Sequence, residues 1–110
     1  MFDFHSVLYE IVGKRISELR KFNNDNQEQL AKKIGLKRSS ISNIEKGRQQ
    51  ISLHLLYRIA QVYNTELDSL LPRVNQIASK VSLSLENANV ILEESEVGSI
   101  TKKKILELLK

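Results

Sequence analysis

Residues Gln27–Lys46, QEQLAKKIGLKRSSISNIEK, decide how the chain is read. The first half carries Leu30, Ala31 and Ile34 at helical spacing and stops at Gly35. The second half, from Arg38, has only Ile41 and Ile44 as apolar anchors within a run of serine, asparagine and positive charge. At about 100° per residue, Ile41 and Ile44 point to one side of a helix, and Ser39, Ser42, Asn43 and Lys46 cluster on the other. The pattern predicts two short helices around a glycine turn, the second presenting a polar face without a large side chain.

On the N-terminal side, Leu8, Ile11, Val12, Ile16, Leu19 and Phe22 recur every three or four residues, which predicts an amphipathic helix over Val7–Phe22 with Arg15, Glu18 and Arg20 outward. It stops in the cluster Asn23, Asn24, Asp25, Asn26. Asn26 then caps the second helix, Gln27–Ile34, with Gln29 three residues later completing a capping box. The third helix, Arg38–Lys46, ends at Gly47, a residue suited to the left-handed position after a helix. A fourth helix follows Ser52 as N-cap, with Leu53, Leu56, Ile59, Ala60 and Tyr63 on one side. A fifth is expected after Thr65, with Asp68 three residues on, running through Leu67, Leu70 and Leu71 to Pro72. Beyond Pro72, itself suited to a first turn, Val74, Ala78, Val81, Leu85, Ala88 and Leu92 keep heptad spacing. Val81, Leu83 and Leu85 alternate with serines as a strand would, but the heptad positions outnumber them and predict a helix. Ser99 after Gly98 starts a last short helix carrying Ile105, Leu108 and Leu109.

The expected fold class is therefore all-α: a five-helix domain over residues 1–72 and a helical C-terminal extension over 73–110. With 110 residues there is room for one small domain and an appendage. A unit this small buries only about 60% of its unfolded surface, so oligomerisation is expected to add stability. Cysteine is absent, and two histidines, His5 and His54, are too few for a metal site of the usual three or four ligands. No metal and no cofactor are expected. The N-terminus lacks a signal-peptide pattern and no apolar run approaches the roughly 18 residues of a membrane span, which predicts a soluble cytoplasmic protein with no membrane partner. Glu93, Glu94 and Glu96 read as exposed charges, Lys102, Lys103 and Lys104 as a solvated first turn, and Tyr9, Tyr57 and Tyr63 as packing residues. Paired carboxylates in a cleft, a phosphate-binding glycine loop and a nucleophile elbow are all missing, so no catalytic residue and no enzyme is expected.

Charge is more informative in its placement than in its total of +4. From Lys32 to Arg48 six basic residues stand against a single acid, Glu45, and such a local positive field attracts polyanions. The polar face of the third helix fits that partner. Short hydroxyls and one amide allow close approach to base edges, flanking cations reach phosphates, and a helix of this diameter enters the major groove of B-form DNA. Arg38 has the fork that pairs with guanine O6 and N7, Asn43 can pair with adenine N6 and N7, and Ser39 and Ser42 discriminate less.

The stretch Gln27–Lys46 resembles the helix-turn-helix of the lambda-repressor-like family, also called the xenobiotic-response-element type. Ala31 stands where two helix backbones approach, Gly35 in the turn, Leu30, Ile34, Leu36, Ile41 and Ile44 in the apolar positions, and Glu45 with Gly47 at the helix end. Downstream, SLHLLYRIAQVYNTELDSLL looks like the family's fourth and fifth helices, so the likeness spans about Ile11–Pro72. The resemblance implies base contacts from Arg38, Ser39, Ser42 and Asn43, and a phosphate contact from Gln27 at the start of the second helix. Lys37, Ser40, Lys46, Arg48 and Gln49 are further candidates for phosphate.

Two positions depart from the family pattern. Lys37 replaces the usual Ser or Thr cap, cannot accept a hydrogen bond and opposes the helix dipole, at a cost of about 1 kcal/mol. Ile51 replaces a frequent proline before the fourth helix, which leaves the loop path of Gln49 and Gln50 undefined.

The resemblance implies a transcriptional regulator, by default a repressor, binding a pseudo-palindromic operator in double-stranded DNA as a homodimer. Val74, Ala78, Val81, Leu85, Ala88, Leu92, Ile105, Leu108 and Leu109 are the expected dimer contacts. An alternative is an antitoxin-like interaction module, whose C-terminal segment binds a partner protein while DNA binding serves autoregulation.

Overall fold

The computed structural model describes residues 3–89, and every regular element among them is helical. The order is α1 (Phe4–Phe22), α2 (Gln27–Ile34), α3 (Arg38–Glu45), α4 (Leu53–Val62), a 3-10 turn (Leu67–Ser69) and α5 (Val74–Asn89). Two compact units result, one of residues 8–72 and one that holds residues 3–7 with 73–89. The heptad reading of the extension as helix holds over Val74–Asn89. Leu92 and the last helix with Ile105, Leu108 and Leu109 lie outside the described residues, as do Glu93, Glu94, Glu96 and Lys102, Lys103 and Lys104.

In the larger unit the core forms where the apolar stripes of four helices meet. Ile16 of α1, Leu30 of α2, Ile41 of α3 and Ile59 of α4 are all fully buried, with Val12, Ala31, Ile34, Ile44, Leu56, Ala60 and Leu70 around them. Each valine, leucine or isoleucine side chain buried to that degree contributes about 1.5 to 3 kcal/mol. Ile51, in place of a proline, is also buried in this core.

The helix ends share one device. Asp25 N–H reaches Arg20 O, Leu36 N–H reaches Ala31 O, Arg48 N–H reaches Asn43 O and Thr65 N–H reaches Ala60 O, at 2.9 to 3.1 Å. These six-to-one bonds close the last turns of α1, α2, α3 and α4 around left-handed residues, Asn24, Gly35, Gly47 and Asn64. Glycine is the ordinary occupant of such a position and asparagine the usual substitute, because its short polar side chain tolerates positive φ. The N-termini differ more. Asn26 and Gln29 form the full capping box expected of α2, and the Ser52 hydroxyl accepts from Leu55 N–H at the start of α4.

Several expectations need correction. α1 begins at Phe4 rather than Val7, because the Asp3 carboxylate accepts Ser6 N–H at 2.7 Å and caps it. The expected fifth helix is a single 3-10 turn: Thr65 bonds with Ser69 through their hydroxyls instead of capping, and Glu66 occupies the cap position without a side-chain bond. Pro72 precedes α5 rather than joining its first turn, and Gln76 Oε1 accepts Arg73 N–H there. Phe22 is 84% exposed, since α1 closes on Asn23 and Asn24 and leaves it beyond the core. Leu53 and Tyr57, one turn apart on α4, are 60% and 57% exposed, so neither is the packing residue its type suggested. Arg20, expected outward, is only 8% exposed.

A candidate nucleic-acid interface on α3

Arg20 is buried against a carboxylate 25 positions away in the sequence. Its Nε donates to Glu45 Oε2 at 2.7 Å and its Nη2 to Glu45 Oε1 at 3.0 Å, and Nη1 donates to Asp25 O at 2.8 Å. Gln27 Nε2 donates to the same Glu45 Oε1 at 3.1 Å. One carboxylate at the last turn of α3 thus ties α1 and the start of α2 to it. Burial by itself raises the Glu45 carboxyl, but hydrogen bonds from Arg20, Gln27 and the Ser17 hydroxyl prevail and hold it below the ordinary glutamate value. A charged pair so satisfied on both sides is costly to break from one side.

A second network holds the other end of α2. Asp25 accepts the Lys33 ammonium and the Tyr63 hydroxyl, the latter at 2.9 Å, and the Lys33 ammonium lies 5.6 Å from the centre of the Tyr63 ring. The hydrogen bond from Lys33, then that from Tyr63, lowers the Asp25 carboxyl. Burial and Asp25 raise the Tyr63 phenol. Arg58 Nη2 donates to Lys33 O at 3.2 Å and closes the α2 end further.

These networks sort the charges of the basic stretch. Glu45, its single acid, is turned to Arg20, and Lys33 is matched by Asp25. On α3, Ile41 and Ile44 are buried, Arg38 and Ser39 are exposed, and Ser40, Ser42 and Asn43 are half-buried. Lys37, Lys46, Arg48 and Gln49 are exposed around it. Lys37 occupies the N-cap of α3 in an extended conformation and makes no side-chain cap. Gln27 and Arg38 line one cleft of about 340 Å³ together with Arg20, Asn26 and Glu28. Residues expected to touch phosphate and bases are thereby brought side by side, and the side-chain amide of Gln27 is oriented by Glu45.

Of the expected dimer contacts, Val74 is exposed and Val81 half-buried on α5, whereas Ala78, like Ile77 beside it, is buried within the single chain at 1% exposure. Leu85 and Ala88 fall on α5, but their side chains lie outside the described residues. Sequence reasoning missed Arg20 and Glu45 as a pair. Periodicity sends a charge to solvent, and only the fold shows which one has a partner. Among the described residues no group of histidine, cysteine and carboxylate side chains could hold a metal ion. No helix there is long and apolar enough to cross a membrane.

Comparison with known proteins agrees with the all-helical fold. The model of the helix-turn-helix family matches residues 16–70. An uncharacterised helix-turn-helix-type transcriptional regulator from Archaeoglobus fulgidus is 43% identical over 56 residues, which is 51% of this chain and 79% of the relative. The crystal structure of the restriction-modification controller protein C.AhdI from Aeromonas hydrophila superposes with a TM-score of 0.55 at 32% identity, over 57% of this chain and 96% of that one. Hydroxypropylphosphonic acid epoxidase from S. wedmorenis has a TM-score of 0.57 at 22% identity, over 61% of this chain and 36% of the enzyme. At that identity the epoxidase shares a fold only.

Proposed function

We propose, from the premise that this chain belongs to the lambda-repressor-like helix-turn-helix family and is a DNA-binding transcriptional regulator, that it is a sequence-specific repressor. It binds a pseudo-palindromic operator as a homodimer, each copy laying α3 in the major groove. The observation that carries this reading is the division of α3 into two buried isoleucines and a polar face of Arg38, Ser39, Ser42 and Asn43, held by the Arg20–Glu45–Gln27 network. Arg38 pairs with guanine, Asn43 with adenine, and Ser39 and Ser42 approach base edges closely. Gln27, Lys37, Ser40, Lys46, Arg48 and Gln49 contact phosphates and supply affinity without sequence choice. The extension over residues 73–110 supplies the dimer contact through Val74 and Val81 and the heptad positions Leu85, Ala88 and Leu92, with Ile105, Leu108 and Leu109 beyond; Ala78 serves the chain's own packing.

Selection of bound DNA from a random pool tests the reading. The expected product is a pseudo-palindrome with half-sites about one helical turn apart. A pool that shows no enrichment overturns sequence-specific binding. Sedimentation of the pure chain as a monomer overturns the homodimer and favours an antitoxin-like tail that waits for a protein partner.

A further inference from the structure

α1 crosses the end of α3 with almost no space between the two backbones. A Cβ added at Gly13 would lie 2.2 Å from Ile44 O and 2.9 Å from Glu45 O, both backbone carbonyls of the last turn of α3. One turn earlier on α1, Glu10 meets the loop that leaves α3: a Cβ added at Gly47 would lie 2.9 Å from Glu10 Cα. Side chains at such a contact could turn away, but a helical carbonyl cannot. A methyl at Gly13 therefore forces the end of α3 outward by roughly 1 Å to restore ordinary contact. The Arg20–Glu45 pair fastens the same turn from the other side.

We infer that Gly13 is a positioning residue for DNA reading: by letting α1 lie directly against Ile44 and Glu45, it sets the depth and angle at which α3 presents Ser42 and Asn43. The inference rests on the base-reading role proposed for α3. Its physical basis is the difference in tolerance between the two kinds of contact. Hydrogen bonds to base edges hold only when donors and acceptors are placed within about 0.5 Å, whereas long cationic side chains follow a phosphate through a shift of that size. The sign of the effect also separates it from ordinary destabilisation. In a helix interior alanine is favoured over glycine, so Gly13→Ala brings a local gain to α1 and its penalty falls on α3.

The test measures binding of the full chain, as wild type, Gly13→Ala and Ile59→Val, to a duplex enriched from the random pool and to a scrambled duplex of equal length. Ile59 is a core residue of α4, on neither α1 nor α3, and its truncation lowers stability through the core while leaving Gly13 and its backbone contact unaltered in sequence. Gly13→Ala is expected to weaken the enriched duplex by roughly tenfold or more, the scale of one lost base contact, and the scrambled duplex by less than about twofold. Ile59→Val is expected to keep the wild-type ratio. A Gly13→Ala ratio equal to wild type overturns the inference. Should Gly13→Ala fail to fold, Gly47→Asn takes its place, since asparagine tolerates the positive φ there while its Cβ presses on Glu10; an unchanged ratio then overturns the inference equally. Amide chemical shifts separate this failure from that of the base-reading role. Gly13→Ala must move Ile44, Glu45 and Gly47 even if the wild type prefers no sequence, and their constancy removes the seat itself.

Discussion

α2 and α3 are each eight residues long and each buries an apolar stripe in the same core, but they begin in opposite ways. α2 starts with the reciprocal box in which Asn26 Oδ1 accepts Gln29 N–H at 2.8 Å and Gln29 Oε1 accepts Asn26 N–H at 2.7 Å. α3 starts at Lys37 with no side-chain cap, under a positive charge that its dipole disfavours. The helix whose task is to hold the fold is closed by its own side chains. The helix proposed to enter the groove keeps an open, cationic end toward the partner and takes its stability from elsewhere. Its support comes from Glu45 at the opposite end, through Arg20 and Gln27.

Five substitutions break or sharpen that contrast. The largest effect is expected for Glu45→Ala, which strands the buried Arg20 charge and should lower unfolding free energy by roughly 3 to 5 kcal/mol in urea titration. The pH dependence follows from the same contact. Because the Glu45 carboxyl is lowered in the fold, its contribution is complete above the ordinary glutamate value and is lost as pH falls through the lowered one. Glu45→Gln should flatten the acid limb of the stability curve, and an unaltered limb would mean the pair contributes little. Next comes Arg38→Ala, expected to weaken operator binding by about 1 to 3 kcal/mol and relax preference at one base pair. Equal losses on operator and random DNA would remove Arg38 from base reading.

The two smaller effects address the helix starts directly. Asn26→Ala should cost about 1 kcal/mol of stability while leaving the operator-to-random affinity ratio alone. Lys37→Ser should act in the opposite direction on stability, raising it by about 1 kcal/mol through a new cap, and should reduce the salt slope of DNA binding by about one unit while leaving the same ratio alone. A Lys37→Ser protein that is more stable and binds DNA with the original salt slope would show that the lysine is merely tolerated.

Where structure depends on neighbours within one turn, the sequence was legible. The Asn26 box, Gly35, Gly47 and the Ser52 cap all act over three or four residues, and each is present as read. The polar face of α3 belongs to the same class, because Ile41 and Ile44 fix its orientation by spacing alone. Long-range partnership was not legible. Arg20 and Glu45 find each other across α2, and Tyr63 finds Asp25 across 38 positions, so neither pairing leaves a mark in local pattern. Phe22 and Leu53 fail for the complementary reason, since an apolar residue in register with a core face is still exposed when its helix outruns the core. Asn24 and Asn64 were readable in principle. Each follows the last apolar turn of its helix, and asparagine there is the commonest stand-in for glycine.

The Arg20–Glu45 pair also has an order in time. Synthesis runs from the N-terminus, so α1 with Arg20 and Gly13 leaves the ribosome before the turn that carries Glu45. Closing the intervening segment then costs only the slowly growing entropy of a short loop. The residues that anchor the turn are synthesised before it, and α3, which has no side-chain cap of its own, can be registered against α1 as soon as its last turn emerges.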